Sequence, residues 1–432
     1  MDRVNITEAI AQPTPAPLLR KPSPPPDVSP GVILMLAAAC GLLVANIYYA
    51  QPLIAEIAQS LGLATGAAGL IVTMSQIGYG VGLLFVVPLG DLVENRRLIL
   101  ISATLSAVAL ACAAFAPSAG VFLTCAAVIG LGSVAVQILI PLAAHLAPDA
   151  TRGRVVGMVS SGLMLGIMLA RPVSSLIAAQ SSWRVVFGLS AVAMVILAAV
   201  LSRLLPTRTP RTKMTYGELT GSMVHLVRVT PILRRRAFYQ GCLFFAFSLF
   251  WTTTPLLLAG PHYGLTQNGI ALFALAGVSG AIAAPIAGRV ADRGWGRPAT
   301  GAAIALVALT MFGSIFVPQG SVVALSLLVA AAIAVDFGVQ ANLVFGYRAI
   351  FALAPEARGR LNGVYLSTAF VGGAIGSALG AWASSFKIMQ CRLLARLGTQ
   401  LGPCDDDSGE SEAGEIVSGE SVVSSCDASP IL

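Results

Sequence analysis

Two charged residues stand inside apolar runs of this 432-residue chain. Asp336 lies in "AVDFGVQ" with Gln340 four residues later, and Arg171 lies in "GIMLARPVSS", directly before Pro172. Residues i and i+4 share one face of a helix, so Asp336 and Gln340 are expected side by side. A carboxyl group taken out of water favours its protonated form, which makes Asp336 a candidate proton carrier. The alternative is a structural role, in which this carboxyl group bonds to a neighbouring helix.

Arg171 has two interpretations. Counted from a helix start near Val155, it lies ~24 Å along the helix axis, in the outer half of a membrane, where its side chain could reach the interface. In the other interpretation it serves substrate binding or a gate, with Pro172 bending the helix. A direct pair with Asp336 is the less favoured arrangement, because the two residues lie at different depths.

The elements that hold these residues are expected to be membrane helices. Of all residues, 56% are hydrophobic and 10% charged, and the mean hydropathy is +0.84, whereas about a quarter of the residues of a soluble domain are charged. Eleven apolar runs are long enough to cross a hydrocarbon core of ~30 Å as helices. They cover about 31–50, 67–89, 97–116, 120–146, 155–178, 184–203, 237–258, 267–287, 298–317, 321–346 and 363–385.

The net charge of +7 reflects topology and does not indicate a nucleic-acid partner. The arginines and lysines fall mainly in alternate loops, whereas loops such as "QPLIAEIAQSLGLATG" and "AGPHYGLTQN" have none. By the positive-inside rule the N-terminus is cytoplasmic. We expect a multi-pass protein of the bacterial cytoplasmic (inner) membrane.

The chain divides into five parts. A Pro-rich N-terminus, 1–30, is expected to be disordered and cytoplasmic. A bundle of six helices, 31–203, precedes a basic cytoplasmic linker, 204–236, and a second bundle of five helices, 237–385. The segment 386–432 is an acidic tail with no further apolar span. It is either a genuine tail or the product of a shifted reading frame.

The two bundles repeat each other in sequence. "LAPDATRGRVVG" (146–157) is echoed by "LAPEARGRLNG" (353–363), and "GSVAVQ" (132–137) by "VDFGVQ" (335–340). "PLGDLVENRR" (88–97) is echoed by "IAGRVADRGWGR" (286–297). Each echo falls six helices apart. Parallel repeats with a site at their interface near the midplane are an architecture of transporters.

These motifs resemble a known family. "GRVADRGWGR" is similar to the loop motif G-x-x-x-D-R-x-G-R-R of the major facilitator superfamily, at the position where that family has it. "NIYYAQPL" (46–53), "ARGRLNG" and "DFGVQ" resemble its drug and metabolite exporters, the branch of proton antiporters that includes bacterial sugar and nucleoside efflux proteins. The resemblance covers about residues 31–385. It implies an all-α membrane protein with two pseudo-symmetric bundles and twelve helices, of which this sequence predicts eleven.

The resemblance also implies gate residues. In the family the acid of this loop bonds across the cytoplasmic face, and arginines help to lock it. By position, Glu94 would be that acid and Asp292 its counterpart. The first copy departs from the motif, since Glu94 replaces an aspartate and Asn95 replaces an arginine. The whole predicted gate comprises Gly90, Glu94, Arg97, Gly288, Asp292, Arg293, Arg171 and Pro172.

Polar side chains in otherwise apolar helices are candidates for the substrate cavity, because the family lines its cavity with helices 1, 4, 7 and 10. Amides and aromatic faces suit an uncharged or ring-bearing solute. For any single residue, a hydrogen bond between helices is the commoner reason for a buried polar group. The candidates are Asn46, Tyr49, Gln76, Gln137, Gln240, Trp251 and Gln340.

The sequence does not favour an enzyme. Its three histidines show no metal-ligand spacing, and no P-loop pattern is present, so ATP-driven transport is disfavoured. We expect no cofactor and no metal. The expected partners are a small-molecule substrate, protons and the lipid bilayer, and the protein is expected to be a monomer. The predicted function is export of a drug or metabolite by proton antiport and alternating access. The alternatives are proton-coupled uptake and a truncated membrane protein that does not transport.

Overall fold

The computed structural model describes residues 29–148, 151–209, 214–313, 320–353 and 357–400, with side chains up to 383. The predicted disordered N-terminus and most of the acidic tail lie outside the described residues. Throughout the described ranges the regular structure is helical. Helices satisfy their own backbone hydrogen bonds, which an apolar solvent cannot do for them.

The first half of the fold contains eight helices. They are α1 (Pro30–Ala45), α2 (Ile54–Ser60), α3 (Leu70–Phe85), α4 (Asn95–Ala114), α5 (Ala119–Ser133), α6 (Val136–Leu146), α7 (Arg152–Gln180) and α8 (Trp183–Leu204). We call the end of the fold at which α1 begins the inner end, and the opposite end the outer end. The inner end is the one that the loop charges predict to be cytoplasmic.

The second half follows a linker helix, α9 (Tyr216–Val229). It consists of α10 (Pro231–Ala259), α11 (Gln267–Ala274), α12 (Gly280–Asp292), α13 (Gly296–Gly313), α14 (Val322–Phe351) and α15 (Arg358–Gln400). Within the described residues, nine helices are long and apolar enough to cross a membrane. Of the two other predicted spans, 31–50 contains the shorter apolar helix α1, with 16 residues, and 298–317 is described as α13 only as far as Gly313.

Four of the predicted continuous spans are interrupted. The first was predicted to reach residue 50, but α1 ends at Ala45 and a series of turns continues to Leu53. Pro52 supplies a physical reason, because it has no N–H and restricts the preceding residue. In the second, 67–89, 3₁₀ segments at Thr65–Ala67 and Val87–Asp91 flank α3. The predicted span 120–146 is divided into α5 and α6, and the 3₁₀ turn Leu275–Ser279 separates α11 from α12.

The two halves pack their helices in the same pattern. In the first half α1 packs on α7 and α3 on α5, and in the second half α10 packs on α15 and α12 on α14. Glycines permit these close approaches. A Cβ on Gly162 would lie 2.3 Å from the Ala37 carbonyl oxygen, and one on Gly372 would lie 2.2 Å from that of Gly241. The repetition seen in the sequence is therefore also a repetition of helix contacts.

One pairing has no counterpart in the described residues. In the first half α4 packs closely on α8. Its equivalent in the second half, α13, contacts α14, α12 and α10 and exposes Leu306, Leu309 and Phe312. This is the face that a twelfth helix would be expected to cover.

Candidate functional site

Arg171 and Asp336 form an ion pair between the two halves. Nη1 of Arg171 lies 3.4 Å from Oδ1 of Asp336, and the two side chains are 0% and 2% exposed. The argument from depth, which disfavoured this pair and allowed Arg171 to reach the interface, is therefore wrong.

The directions of the side chains explain the contact. The Cα–Cβ bonds of a helix tilt toward its N-terminus. Helix α7 begins at the inner end of the fold and α14 at the outer end, so the side chain of Arg171 leans inward and that of Asp336 leans outward. A guanidinium group is several ångströms from its own Cα, so two residues at different heights can meet midway.

Each partner of the pair has a further hydrogen bond. Arg171 donates from Nε to Oε1 of Gln51 at 2.8 Å, and Trp251 donates from Nε1 to Oδ2 of Asp336 at 2.8 Å. Gln51 lies in the turns that follow α1, and Trp251 lies on α10. These hydrogen bonds therefore bring four elements to the pair, two from each half.

Three aromatic rings surround the guanidinium group. The Cζ atom of Arg171 lies 4.1 Å from the ring centroid of Trp251, 4.9 Å from that of Phe247 and 5.4 Å from that of Tyr48. A desolvated cation over an aromatic face gains ~2 kcal/mol or more. The rings thus replace part of the hydration that Arg171 loses on burial.

The interruption of the eighth span provides room for the pair. A Cβ on Gly277, in the 3₁₀ turn, would lie 2.9 Å from Nη1 of Arg171, 3.1 Å from Cζ2 of Trp251 and 3.4 Å from Oδ2 of Asp336. A local 3₁₀ adjustment at membrane depth is tolerated where it is buried in protein. Here the bare backbone of Gly277 forms one wall of the site.

Two donors of the site have no acceptor within the described part of the chain. They are Nη2 of Arg171 and Nε2 of Gln51, and both atoms are buried. The bond between Nε of Arg171 and Oε1 of Gln51 brings these two groups together. The site therefore offers two adjacent N–H groups to an acceptor.

The predicted cavity residues fall into three groups. Trp251 belongs to the site just described. Gln76 and Gln137 reach across the boundary between the halves, since Gln76 donates to Oγ of Ser248 at 2.8 Å and Oε1 of Gln137 accepts from Asn362 at 3.1 Å. The other four residues lie elsewhere.

Those four residues mostly contact helices of their own half. Asn46 accepts from Oγ of Ser190 at 2.7 Å, and Tyr49 packs partly buried against the core. Gln240 accepts from Nδ2 of Asn342 at 2.7 Å. Gln340 is buried one turn from Asp336, and its Cγ lies 3.2 Å from the position of a Cβ on Gly280.

The outer end of the boundary is held by short polar contacts. Oγ1 of Thr73 on α3 lies 2.7 Å from Oγ of Ser377 on α15. On the opposite side of the fold, Oγ of Ser175 on α7 donates to Oε1 of Gln267 on α11 at 2.7 Å. These contacts join α3 with α15 and α7 with α11 across the boundary between the halves.

The acids of the predicted gate form local contacts. Glu94 pairs with Arg97, three residues away, at 2.8 Å, and Asp292 pairs with Arg348 at the end of α14. Arg293 is exposed. The gate glycines are not crowded, because a Cβ on Gly90 would lie 3.5 Å from Ile138 and one on Gly288 would meet no atom within 4 Å.

A further acid at the inner end is Asp91, an exposed residue of the loop that follows α3. Its carboxylate interacts electrostatically with Arg360, at the start of α15. The sequence pattern did not single out Asp91, although this residue directly follows Gly90, the glycine of the loop motif. It had no signal to distinguish Asp91 from Glu94, because both acids lie in the same short loop.

The linker helix α9 also touches both halves at the inner end. Tyr216 donates its hydroxyl to the carbonyl oxygen of Phe85 at 3.0 Å, and Arg360 donates to Oγ of Ser222 at 2.8 Å. The helix begins with a capping box of Thr215 and Glu218. The backbone N–H of Thr215 lowers the pKa of the Glu218 carboxyl.

Comparisons with known sequences identify similar proteins. The family profile described as Major Facilitator Superfamily matches residues 34–377. The chain is 41% identical over 356 residues to the "Uncharacterized transporter YgaY" of Escherichia coli O157:H7, covering 82% of this chain and 89% of that protein. It is 34% identical over 360 residues to a "Probable transporter" of Streptomyces coelicolor, covering 82% of both.

Solved structures share the fold at low sequence identity. A bacterial homologue of the human lysosomal transporter Spinster, inward-facing and unoccupied, aligns with a TM-score of 0.68 and 14% identity over 85% of each chain. The inward-open xylose transporter XylE of E. coli aligns with a TM-score of 0.60 and 14% identity, over 82% of this chain and 89% of that one. These likenesses confirm the predicted fold class.

Proposed function

Because the chain belongs to the major facilitator superfamily and is a secondary transporter, not an enzyme, we propose that it exports a small organic solute in exchange for protons. The observation that carries the proposal is the buried ion pair of Arg171 and Asp336 between the halves. Intramembrane ionisable residues that pair with each other mark ion pathways and proton relays. The solute is a drug or metabolite, and the protein works as a monomer in the bacterial inner membrane.

Asp336 is the proposed proton carrier. While it is charged, it holds Arg171 and accepts from Trp251. A proton on Oδ1 removes the charge that attracts the guanidinium group, so the contact between α7 and α14 weakens. Loss of the proton restores the contact between α7 and α14. Protonation of one carboxyl group thereby changes the free energy of the contact between the two halves.

Alternating access requires the two ends of the boundary to open in turn. At the outer end, opening separates Thr73 from Ser377 and Ser175 from Gln267. At the inner end it separates Asp91 from Arg360. The loop pairs of Glu94 with Arg97 and of Asp292 with Arg348 fix the shape of each half while these contacts change, and Pro172 lets α7 bend beside the ion pair.

The proposed solute cavity lies along the boundary. Gln76, Gln137, Trp251 and Gln340 are the predicted residues that lie near it, and the amides and the indole ring suit hydrogen bonding and stacking. The polar groups of Asn46, Tyr49 and Gln240 would reach the solute only after a rearrangement within their halves.

Proton-coupled uptake is a second candidate, and one observation favours it. An acceptor group on a solute would find the free N–H groups of Arg171 and Gln51. By engaging Arg171 it would leave Asp336 without its counter-charge, so that Asp336 would take up a proton. Solute and proton would then bind together, as in symport.

Proton flux in vesicles distinguishes these mechanisms. The purified protein is reconstituted, and counterflow with a panel of drugs, nucleosides and sugars identifies a solute. Addition of that solute to energised vesicles then drives protons in opposite directions for antiport and for symport. Absence of solute and proton flux in well-folded protein would favour a membrane protein that does not transport.

The role of Asp336 is tested by the variant Asp336→Asn in the same vesicles. Counterflow does not depend on a proton gradient, so it should persist, whereas gradient-driven accumulation should be lost. If Asp336→Asn keeps full gradient-driven transport, Asp336 is not the proton carrier. Glu218→Gln, which neutralises an exposed carboxylate of the linker helix far from the ion pair and keeps an acceptor for the capping box, is the matched control.

A further inference from the structure

A basic cleft at the inner end of the second half is separate from the central ion pair. It lies where α10 begins, α12 ends, α13 begins and α14 ends. Its volume is about 260 Å³, and it is lined by Arg236, Ala291, Gly294, Gly296, Arg297, Phe345, Arg348 and Ala349. We propose that this cleft binds a phosphate group, presented either by a lipid headgroup or by a soluble phosphate.

Arg236 is the reason to expect an anion. This residue is only 9% exposed, and its Nη1 donates to the Thr300 hydroxyl at 2.8 Å, which is a neutral acceptor. Among the ion pairs of the described residues, none includes Arg236 or Arg297. A buried guanidinium group without a counter-charge is strongly unfavourable, so an anion from outside the chain would stabilise it.

The charge balance of the cleft also favours an anion. Of its three arginines, Arg348 pairs with Asp292, and the charges of Arg236 and Arg297 interact with each other. Two positive charges therefore remain at one cleft. The first turn of α13 starts at Gly296 in the same wall, and a helix N-terminus carries partial positive charge.

The chemistry of the donors suits an oxyanion such as phosphate. Guanidinium groups match the geometry of phosphate oxygens by paired N–H bonds, and several of them here face one cavity. The ends of four helices place the cleft at the level where a bilayer meets water. Phe345 and the two alanines give it an apolar side, on which the glycerol region of a lipid could lie.

The test measures binding by thermal stability of the purified full-length chain after delipidation. Phosphatidylglycerol, a phosphate-free glycolipid and inorganic phosphate are titrated separately, with chloride at matched ionic strength. The Tm should rise to a plateau with phosphatidylglycerol, with inorganic phosphate or with both. A rise with phosphatidylglycerol alone assigns the site to a lipid headgroup, and a rise with both shows that a soluble phosphate suffices.

Two exposed arginines give a matched pair of variants. Arg297→Gln removes a charge that lines the cleft, and Arg289→Gln removes one at the same end of the fold that does not line it. Arg297→Gln should raise the midpoint concentration about tenfold to a hundredfold, as expected for one charged hydrogen bond, and Arg289→Gln should leave it unchanged. The proposal is overturned if neither probe raises the Tm above its control, or if both variants weaken binding equally.

Discussion

The ion pair of Arg171 and Asp336 permits a sharp prediction about stability. At 3.4 Å and an effective dielectric constant of ~20, the attraction of two unit charges is about 5 kcal/mol, and desolvation offsets much of it. Removal of one partner of a buried pair typically costs ~3–5 kcal/mol, because the other charge is left without compensation. Asp336→Asn should therefore destabilise the protein by about that amount.

The double variant Arg171→Gln/Asp336→Asn tests whether this reasoning is right. It removes both charges, so no buried charge is left alone, and it should be more stable than Asp336→Asn by itself. Chemical unfolding of the four proteins of the cycle, wild type included, gives the coupling free energy directly. If the two single changes simply add in the double variant, the pair is not coupled and the electrostatic account fails.

Two further predictions concern the contacts around the pair and at the outer end. Gly277→Ala would place a Cβ 2.9 Å from Nη1 of Arg171, so we expect a loss of about 1–3 kcal/mol in unfolding free energy and reduced counterflow. Gly301→Ala in α13, whose Cβ would meet no atom within 4 Å, should change neither, and equal effects of the two variants would contradict the packing argument. Thr73→Val removes the hydroxyl that lies 2.7 Å from Oγ of Ser377, so it should weaken the closed state of the outer end by ~1 kcal/mol. A cysteine placed at the outer end should then be labelled faster. Unchanged labelling would show that this hydrogen bond does not hold the outer end closed.

The sequence was sufficient to predict the fold class, because few kinds of backbone structure can span a bilayer. Apolar runs long enough to cross the bilayer form helices in lipid. The three sequence echoes predicted that the two halves share one arrangement of helices. The breaks within the predicted spans were harder to predict from the sequence. Pro52 could have signalled the end of α1, but the 3₁₀ turn before α12 contains no proline and depends on what packs against Gly277.

The sequence by itself identified the two intramembrane charges and indicated that they needed explanation. It assigned them different depths, since a count along each helix axis contains no information about where the side chains lean. The charges of the loops already predicted that α7 and α14 run in opposite directions, but only the tertiary structure brought the two side chains within 3.4 Å of each other across the boundary. The partners on other elements, Gln51, Phe247 and Gly277, were also beyond the sequence, because their distances from Arg171 are set by packing between helices and not by spacing along the chain.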